Sequence, residues 1–290
     1  MNRLLLVHAH PDDETITTGG TIAKYLDAGA EVTVVTCTLG EEGEVIGDRW
    51  SGLVADGGGD QLGGYRIMEL TDALAELSPD PFAPVEPRFL GGAGRWRDSG
   101  MSGAPSNHHE RAFIAAGSET PAAVLADLIR ELRPQVVVGY DPVGSYGHPD
   151  HIQVHAIAHA AIELAATGDD GWSVSKLYWT VTEESALEAG LAEASDRIPK
   201  GWRLPTPGEL PSHPDAEITT AIDVREVYDR KVRALSAHAT QVTVSASGTE
   251  YALSNNIIQP IFAEEHFMLV AGEQGPTDGS GRETDLFGGL

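Results

Sequence analysis

Short runs of aliphatic and β-branched residues recur through the first 180 residues, each followed by a stretch with helical spacing. Leu4-Leu5-Leu6-Val7, Val32-Thr33-Val34-Val35-Thr36 and Val136-Val137-Val138 read as strands. They are continuously apolar rather than alternating, as expected of strands covered on both faces. Between them, Ile22, Tyr25 and Leu26, then Ile67, Leu70 and Leu74, then Leu125, Leu128, Ile129 and Leu132 mark helix faces. This order predicts right-handed crossovers and an open, mainly parallel α/β sheet with helices on both faces.

Two stretches interrupt the rhythm. Residues 78–87 carry prolines at 79, 81, 84 and 87 and read as a surface connection. Residues 198–215 carry prolines at 199, 205, 207, 211 and 214, too many for a core element. Beyond them a strand is expected near residues 218–224 and a helix over 226–238. The pattern divides the chain into a catalytic α/β portion at 1–185, a smaller α/β portion at 186–271 that completes a pocket, and a flexible, Gly- and acid-rich tail at 272–290.

Composition narrows the class of protein. A chain of 290 residues, 41% hydrophobic, can bury a core without staples. Its formal charge of −25 repels phosphate backbones and anionic headgroups, so neither nucleic acid nor membrane is an expected partner. A single cysteine, Cys37, excludes an internal disulfide framework and reads as a small core residue. No run of apolar residues is long enough for a membrane span, and the expected compartment is the cytoplasm. The oligomeric state is not encoded in any of these features.

The chemistry lies in two clusters, each beyond a strand. The first is His8-Ala9-His10-Pro11-Asp12-Asp13-Glu14; the second is Tyr146-Gly147-His148-Pro149-Asp150-His151. Ligands of open α/β sheets bind beyond the carboxyl ends of strands, where the two clusters can meet. His10, Asp13 and His151 then supply two imidazoles and a carboxylate with a fourth position open, the donor set of a catalytic zinc, one per chain. Iron(II) accepts the same donors. Asp12 is a spare carboxylate, suited to general-base work on a water. His148, held away by Pro149, is placed to donate to an oxyanion or protonate a leaving group, with Asp150 holding its ring.

Simpler readings stand beside these. His8 reads as a buried supporting residue. His151 with His155 forms a rival i, i+4 metal pair, though it lacks the Glu of an HExxH motif. His155 and His159 read as lining the buried face of their helix. His213-Pro214-Asp215 repeats the triplet without a strand before it and reads as a decoy. The turn after the first strand offers carboxylates where a dinucleotide site needs glycines.

His10-Pro11-Asp12-Asp13-Glu14 and His148-Pro149-Asp150-His151 resemble the signatures of the LmbE-like family of zinc-dependent N-acetylglucosaminyl deacetylases. Leu39-Gly40-Glu41-Glu42-Gly43-Glu44, Gly63-Gly64-Tyr65-Arg66 and Gly94-Arg95-Trp96-Arg97-Asp98-Ser99-Gly100 are similar to its actinobacterial, mycothiol-pathway branch. The resemblance spans residues 3–185. It implies a Rossmann-like fold and zinc on His10, Asp13 and His151. It further implies Asp12 as base, His148 with Asp150 as electrophile or acid, Tyr146 as a mobile residue near the oxyanion, and Glu44, Arg66 and Asp98 as contacts to sugar and inositol hydroxyls. For those last three a surface ion pair is the plain alternative. For Arg66, Gly63-Gly64 would let the backbone approach a ligand.

The implied activity is removal of acetate from N-acetylglucosaminyl-inositol, a small amino-sugar inositol substrate. The alternatives are a mycothiol S-conjugate amidase and a deacetylase of another N-acetyl amino sugar. A Lys expected after the first cluster of the amidase branch is missing, since Thr15-Ile16-Thr17-Thr18 follows Glu14. A non-catalytic metal- or sugar-binding module would not need Asp12.

Overall fold

The computed structural model describes residues 1–80 and 82–290. Pro81, one of the prolines of the expected 78–87 connection, lies outside the described residues.

Strands and helices alternate as β1 (Arg3–His8), α1 (Asp13–Asp27), β2 (Glu31–Thr36), α2 (Leu62–Leu77), β3 (Arg88–Phe89), α3 (Glu119–Leu132) and β4 (Val136–Gly139). A single turn α4 (Gly144–Gly147), α5 (Pro149–Ala165), β5 (Lys176–Val181) and α6 (Glu184–Ala194) follow. Then come β6 (Thr220–Asp223), α7 (Tyr228–Ala237), the short strands β7 (Thr243–Val244), β8 (Glu250–Ala252) and β9 (Gln259–Pro260), and β10 (Glu264–Ala271).

Among the described residues the main sheet has seven strands in the order β3-β2-β1-β4-β5-β10-β6. From β3 to β5 all pairs are parallel. β10 runs antiparallel to both β5 and β6. The apolar runs of the first strands are explained by cover on both faces. Leu4, Leu6, Val32, Val34, Val136 and Val138 pack under α1, α2 and α7. Leu5, Val7, Val35 and Val137 pack under α3 and α5. The α/β class and mainly parallel sheet read from the sequence are present.

Two expectations need correction. The stretch 186–271 is not an α/β portion of its own, because β6 and β10 extend the main sheet; among the described residues β7-β8-β9 form a small second sheet. The segment from Gly272 is not a loose tail. Glu283, Leu286 and Phe287 are buried against the sheet. Lys176 Nζ donates to Glu283 Oε1 at 2.5 Å, and Tyr178 and Thr220 hydroxyls donate to Oε2 at 2.8 and 3.0 Å. Few but well-placed anchors fix a segment whose composition is otherwise that of a mobile end.

β2 lies on one side of β1 and β4 on the other, so the strand order reverses between β1 and β4. That reversal opens a crevice at the carboxyl ends of these two strands, and both His/Asp clusters emerge there.

Candidate active site

The chain leaves β1 at His8 and turns through Asp12, whose φ of 114° lies in the region that favours glycine. Helix α1 opens at Asp13, and the His10 N–H donates to Asp13 Oδ2 at 2.9 Å, closing the turn. After β4, His148 caps α5: its Nδ1 accepts from the Asp150 N–H at 3.1 Å, with Pro149 at the first helical position. His151 falls in that first turn and faces β1.

Three atoms converge. His10 Nδ1 and His151 Nε2 are 3.3 Å apart, His10 Nδ1 and Asp13 Oδ2 3.4 Å, and His151 Nε2 and Asp13 Oδ2 3.3 Å. Ligands about 2.0–2.1 Å from one tetrahedral ion stand about 3.3 Å from each other. This near-equilateral triangle of buried donors fits a divalent cation. His148 stands beside it, one of a group with His10 and His151 whose ligating atoms lie within 4.8 Å of one another.

The remaining nitrogen of His10 is held as ligating imidazoles usually are. Nε2 faces Asp150 Oδ2 at 3.3 Å and Asp98 Oδ1 at 3.4 Å. Burial would depress the His10 imidazolium, but Asp98 above all, with Asp13 and Asp150, raises its pKa well above the usual value. Burial works against Asp13 ionisation as well. His151 and His10 outweigh it and hold the Asp13 carboxyl well below the ordinary range. The cage is built to carry positive charge.

Asp150 differs from its expected role. Its carboxylate accepts from the Ser99 N–H at 2.9 Å and faces His10; only its backbone N–H reaches the His148 ring. Sitting inside the first turn of α5, the Asp150 side chain points across to the β1 loop. The carboxylate nearest His148 is Asp98, 3.9 Å from Nε2. Burial, reinforced by the charge of His10, lowers the His148 pKa to about 3. His148 is therefore a neutral imidazole whose Nδ1 accepts and whose Nε2–H is free to donate.

Arg66 also differs. Its guanidinium is 3% exposed and committed to the protein. Nη1 donates to the Gly40 carbonyl at 2.8 Å, and Nη2 donates to the Pro11 carbonyl and lies 3.1 Å from Asp12 Oδ2. It is tied to the candidate base and also lines the cavity. The neighbouring Gly63 makes room for Leu39 and Glu41, whose atoms would stand 2.9 and 2.8 Å from a Cβ there. Burial pushes the Asp12 carboxyl up to about 6, against the opposing pull of Arg66.

Asp98 is buried, accepts from the Gly100 and Glu42 N–H groups at 2.8 and 3.2 Å, and lines the cavity. Glu44 is exposed at the cavity rim, where Oε2 accepts from Ser254 Oγ at 2.9 Å. Tyr146 is 52% exposed, its ring edge-on to His151 at 5.0 Å and to His148 at 6.0 Å.

The other histidines separate. His8 is fully buried beneath the site. His155 Nδ1 donates to the Tyr140 carbonyl at 3.0 Å and packs against His159 and Trp179, so it does not pair with His151 on an ion. His155 and His159 are half-buried rather than deep. Cys37 is buried, and burial pushes its thiol up, away from nucleophilic use.

Sequence reasoning missed two buried or half-buried pairs. His238 Nε2 lies 3.0 Å from Glu14 Oε1, both fully buried. His213, the decoy, lines the cavity with Nε2 3.0 Å from Asp141 Oδ2. No local spacing signals either pair, because each joins segments distant in the chain. The cavity measures about 990 Å³ and reaches from the His/Asp cage to Leu187, His213, Leu253 and Phe262 of the C-terminal half.

Residues 5–162, which carry β1 through most of α5 and both clusters, match the GlcNAc-PI de-N-acetylase (PIG-L) family, and the chain belongs to it. Two relatives bear the name 1D-myo-inositol 2-acetamido-2-deoxy-alpha-D-glucopyranoside deacetylase. That of Gordonia bronchialis is 62% identical over 289 residues, 99% of this chain and 100% of its own. That of Rhodococcus jostii is 63% identical over 293 residues, 99% of this chain and 98% of its own. Among solved structures, the N,N'-diacetylchitobiose deacetylase of Pyrococcus horikoshii aligns with a TM-score of 0.54 and 20% identity, covering 82% of this chain and 69% of that one. At that identity the likeness speaks for the fold.

Proposed function

We propose that the protein is a metal-dependent hydrolase that removes acetate from N-acetylglucosaminyl-inositol, yielding glucosaminyl-inositol for mycothiol biosynthesis. The observation that carries the reaction is the triangle of His10, Asp13 and His151 with Asp12, a carboxylate outside the triangle, beside it. The substrate rests on relatives more than 60% identical over nearly the whole chain. Zinc is the ion favoured by two imidazoles and a carboxylate, and iron(II) fits the same donors. Acidic composition and a single buried thiol support a reducing, aqueous compartment such as the cytoplasm.

A divalent cation bound there supplies a Lewis acid that polarises the acetyl carbonyl and acidifies the attacking water. Asp12 takes the proton of that water as its oxygen adds to the acetyl carbon. The carbonyl oxygen, now charged, accepts the Nε2–H of neutral His148. The C–N bond then breaks, and Asp12 returns its proton to the departing amine. A carboxyl raised toward neutrality suits both transfers. Asp98 keeps His10 and His148 in register, Tyr146 stands over the reacting carbonyl, and Glu44 meets sugar or inositol hydroxyls at the rim.

Metal analysis combined with acetate release from N-acetylglucosaminyl-inositol tests the whole reading. Asp12→Asn is expected to lower turnover about 100- to 10,000-fold while zinc content is unchanged. Near-full turnover in that variant removes the mechanism, and a wild-type chain that releases no acetate removes the function.

A further inference from the structure

The two histidines of the cage are supported unequally. Behind His10, Asp150 and Asp98 fix the ring through Nε2. His151 points Nε2 into the cage, yet among the described residues its Nδ1 has no hydrogen-bond partner. A ligating imidazole whose second nitrogen is not held can turn about its Cβ–Cγ bond, and its lone pair then leaves the metal direction.

The ring plane of His151 is instead covered by Tyr140. The two rings stack with centroids 4.3 Å apart and planes 16° from parallel. Tyr140 is 1% exposed and is itself locked. The Thr18 hydroxyl donates to the Glu14 carbonyl at 2.8 Å, which spends its only proton. His8 Nε2 must therefore donate to Thr18 Oγ1, at 3.1 Å, leaving His8 Nδ1 as an acceptor. That acceptor receives the Tyr140 hydroxyl at 3.2 Å, and the Tyr140 oxygen in turn accepts the Ala9 N–H at 3.2 Å. The donors run in one direction from β1 to α1, so the phenol cannot swing. His155, one turn beyond His151 on α5, donates to the Tyr140 carbonyl and ties its backbone to the same helix.

We propose that Tyr140 is a positioning residue for the metal site, holding the His151 imidazole in its ligating plane by stacking. This rests on the reading of His10, Asp13 and His151 as the ligands. The role belongs to the aromatic face. The hydroxyl serves to anchor that face, and the ring, 1% exposed, is kept in place by its burial when the hydroxyl alone is removed.

The test is zinc affinity of the full chain by competition with a chromophoric chelator, for wild type, His151→Ala, Tyr140→Phe and Tyr140→Leu, with circular dichroism to follow folding. Tyr140→Leu is expected to bind zinc roughly 10- to 100-fold more weakly, and Tyr140→Phe to stay within about threefold of wild type. A cobalt(II)-loaded Tyr140→Leu protein should also show an altered d–d spectrum, which loss of packing away from the metal would not produce. Wild type and His151→Ala binding zinc equally would sink the ligand assignment on which this stands. Zinc held by wild type, lost in His151→Ala and unchanged in a folded Tyr140→Leu overturns the stacking role itself. Should Tyr140→Leu not fold, Tyr140→Phe still decides: a loss of affinity as large as that of His151→Ala overturns the proposal, and retained affinity supports it.

Discussion

At residue scale, Asp12 is held from three sides in a conformation that its own backbone disfavours. Its φ of 114° costs energy for a residue with a Cβ, so neighbours must compensate. Glu14 Oε2 accepts its N–H at 2.9 Å, His238 steadies the other Glu14 oxygen at 3.0 Å, and Arg66 sits on its carboxylate at 3.1 Å. If Arg66 aims the base rather than binding substrate, Arg66→Met lowers kcat about 100-fold and leaves KM within about threefold. Initial rates over a substrate series check this; a rise in KM at constant kcat would return Arg66 to the substrate. The contiguous clusters made the meeting of His10, Asp12, Asp13, His148 and His151 readable from the sequence, because two strand ends bring whole motifs together. Which atom of Asp150 or Arg66 faces which neighbour was not readable. Spacing says that side chains are close, and only the turn of α5 and the path of α2 decide their direction.

At the scale of elements, α1 carries Gly19 and Gly20 in mid-helix, where each weakens the helix relative to alanine. The structure separates them. A Cβ on Gly20 would stand 2.5 Å from Val224 Cβ, whereas one on Gly19 meets its nearest neighbours at 3.5 Å. Gly19→Ala should therefore stabilise by about 0.5–1 kcal/mol, and Gly20→Ala should destabilise by about 1–3 kcal/mol. Urea melts of the two variants give opposite signs if α1 packs on the end of β6 as described; equal signs would contradict that contact. The central strands β1, β2 and β4 announced themselves because both faces are buried and their middles are runs of aliphatic and β-branched residues. β10 gave no such sign. It opens with Glu264 and Glu265 and contains His266, polar groups that break the apolar run; Glu265 finds its partner on α7, where Lys231 stands at 2.6 Å. The expected strand at 218–224 and helix at 226–238 narrow to Thr220–Asp223 and Tyr228–Ala237, and a 3-10 turn over Arg225–Val227 takes the start of the helix.

On the scale of the whole molecule, the segment beyond Gly272 acts as a clasp on the sheet. Burial alone would raise the Glu283 carboxyl, but Lys176, with the Gly275 N–H, Tyr178 and Thr220, holds it below the usual range. A depressed folded value means the contribution is complete above the unfolded pKa of a Glu and fades as pH falls through the folded one. Glu283→Gln leaves Lys176 buried without its counter-charge and should cost about 3–5 kcal/mol near neutral pH. The gap to wild type should close as both are acidified, which thermal melts along a pH series would show; a gap that is constant with pH would contradict the clasp. Composition predicted a loose end here because a handful of contacts, made by the distant strands β5 and β6, does the holding.

The place of β10 has a consequence for synthesis on the ribosome. β5 and β6 are translated well before the strand that separates them, so an emerging chain holds a sheet that stops at β5, with a bare row of amide and carbonyl groups awaiting its partner. Until residues 264–271 leave the exit tunnel, that row is open to a neighbouring nascent chain, and the interval between the making of β5 and of β10 sets the molecule's exposure to misassembly.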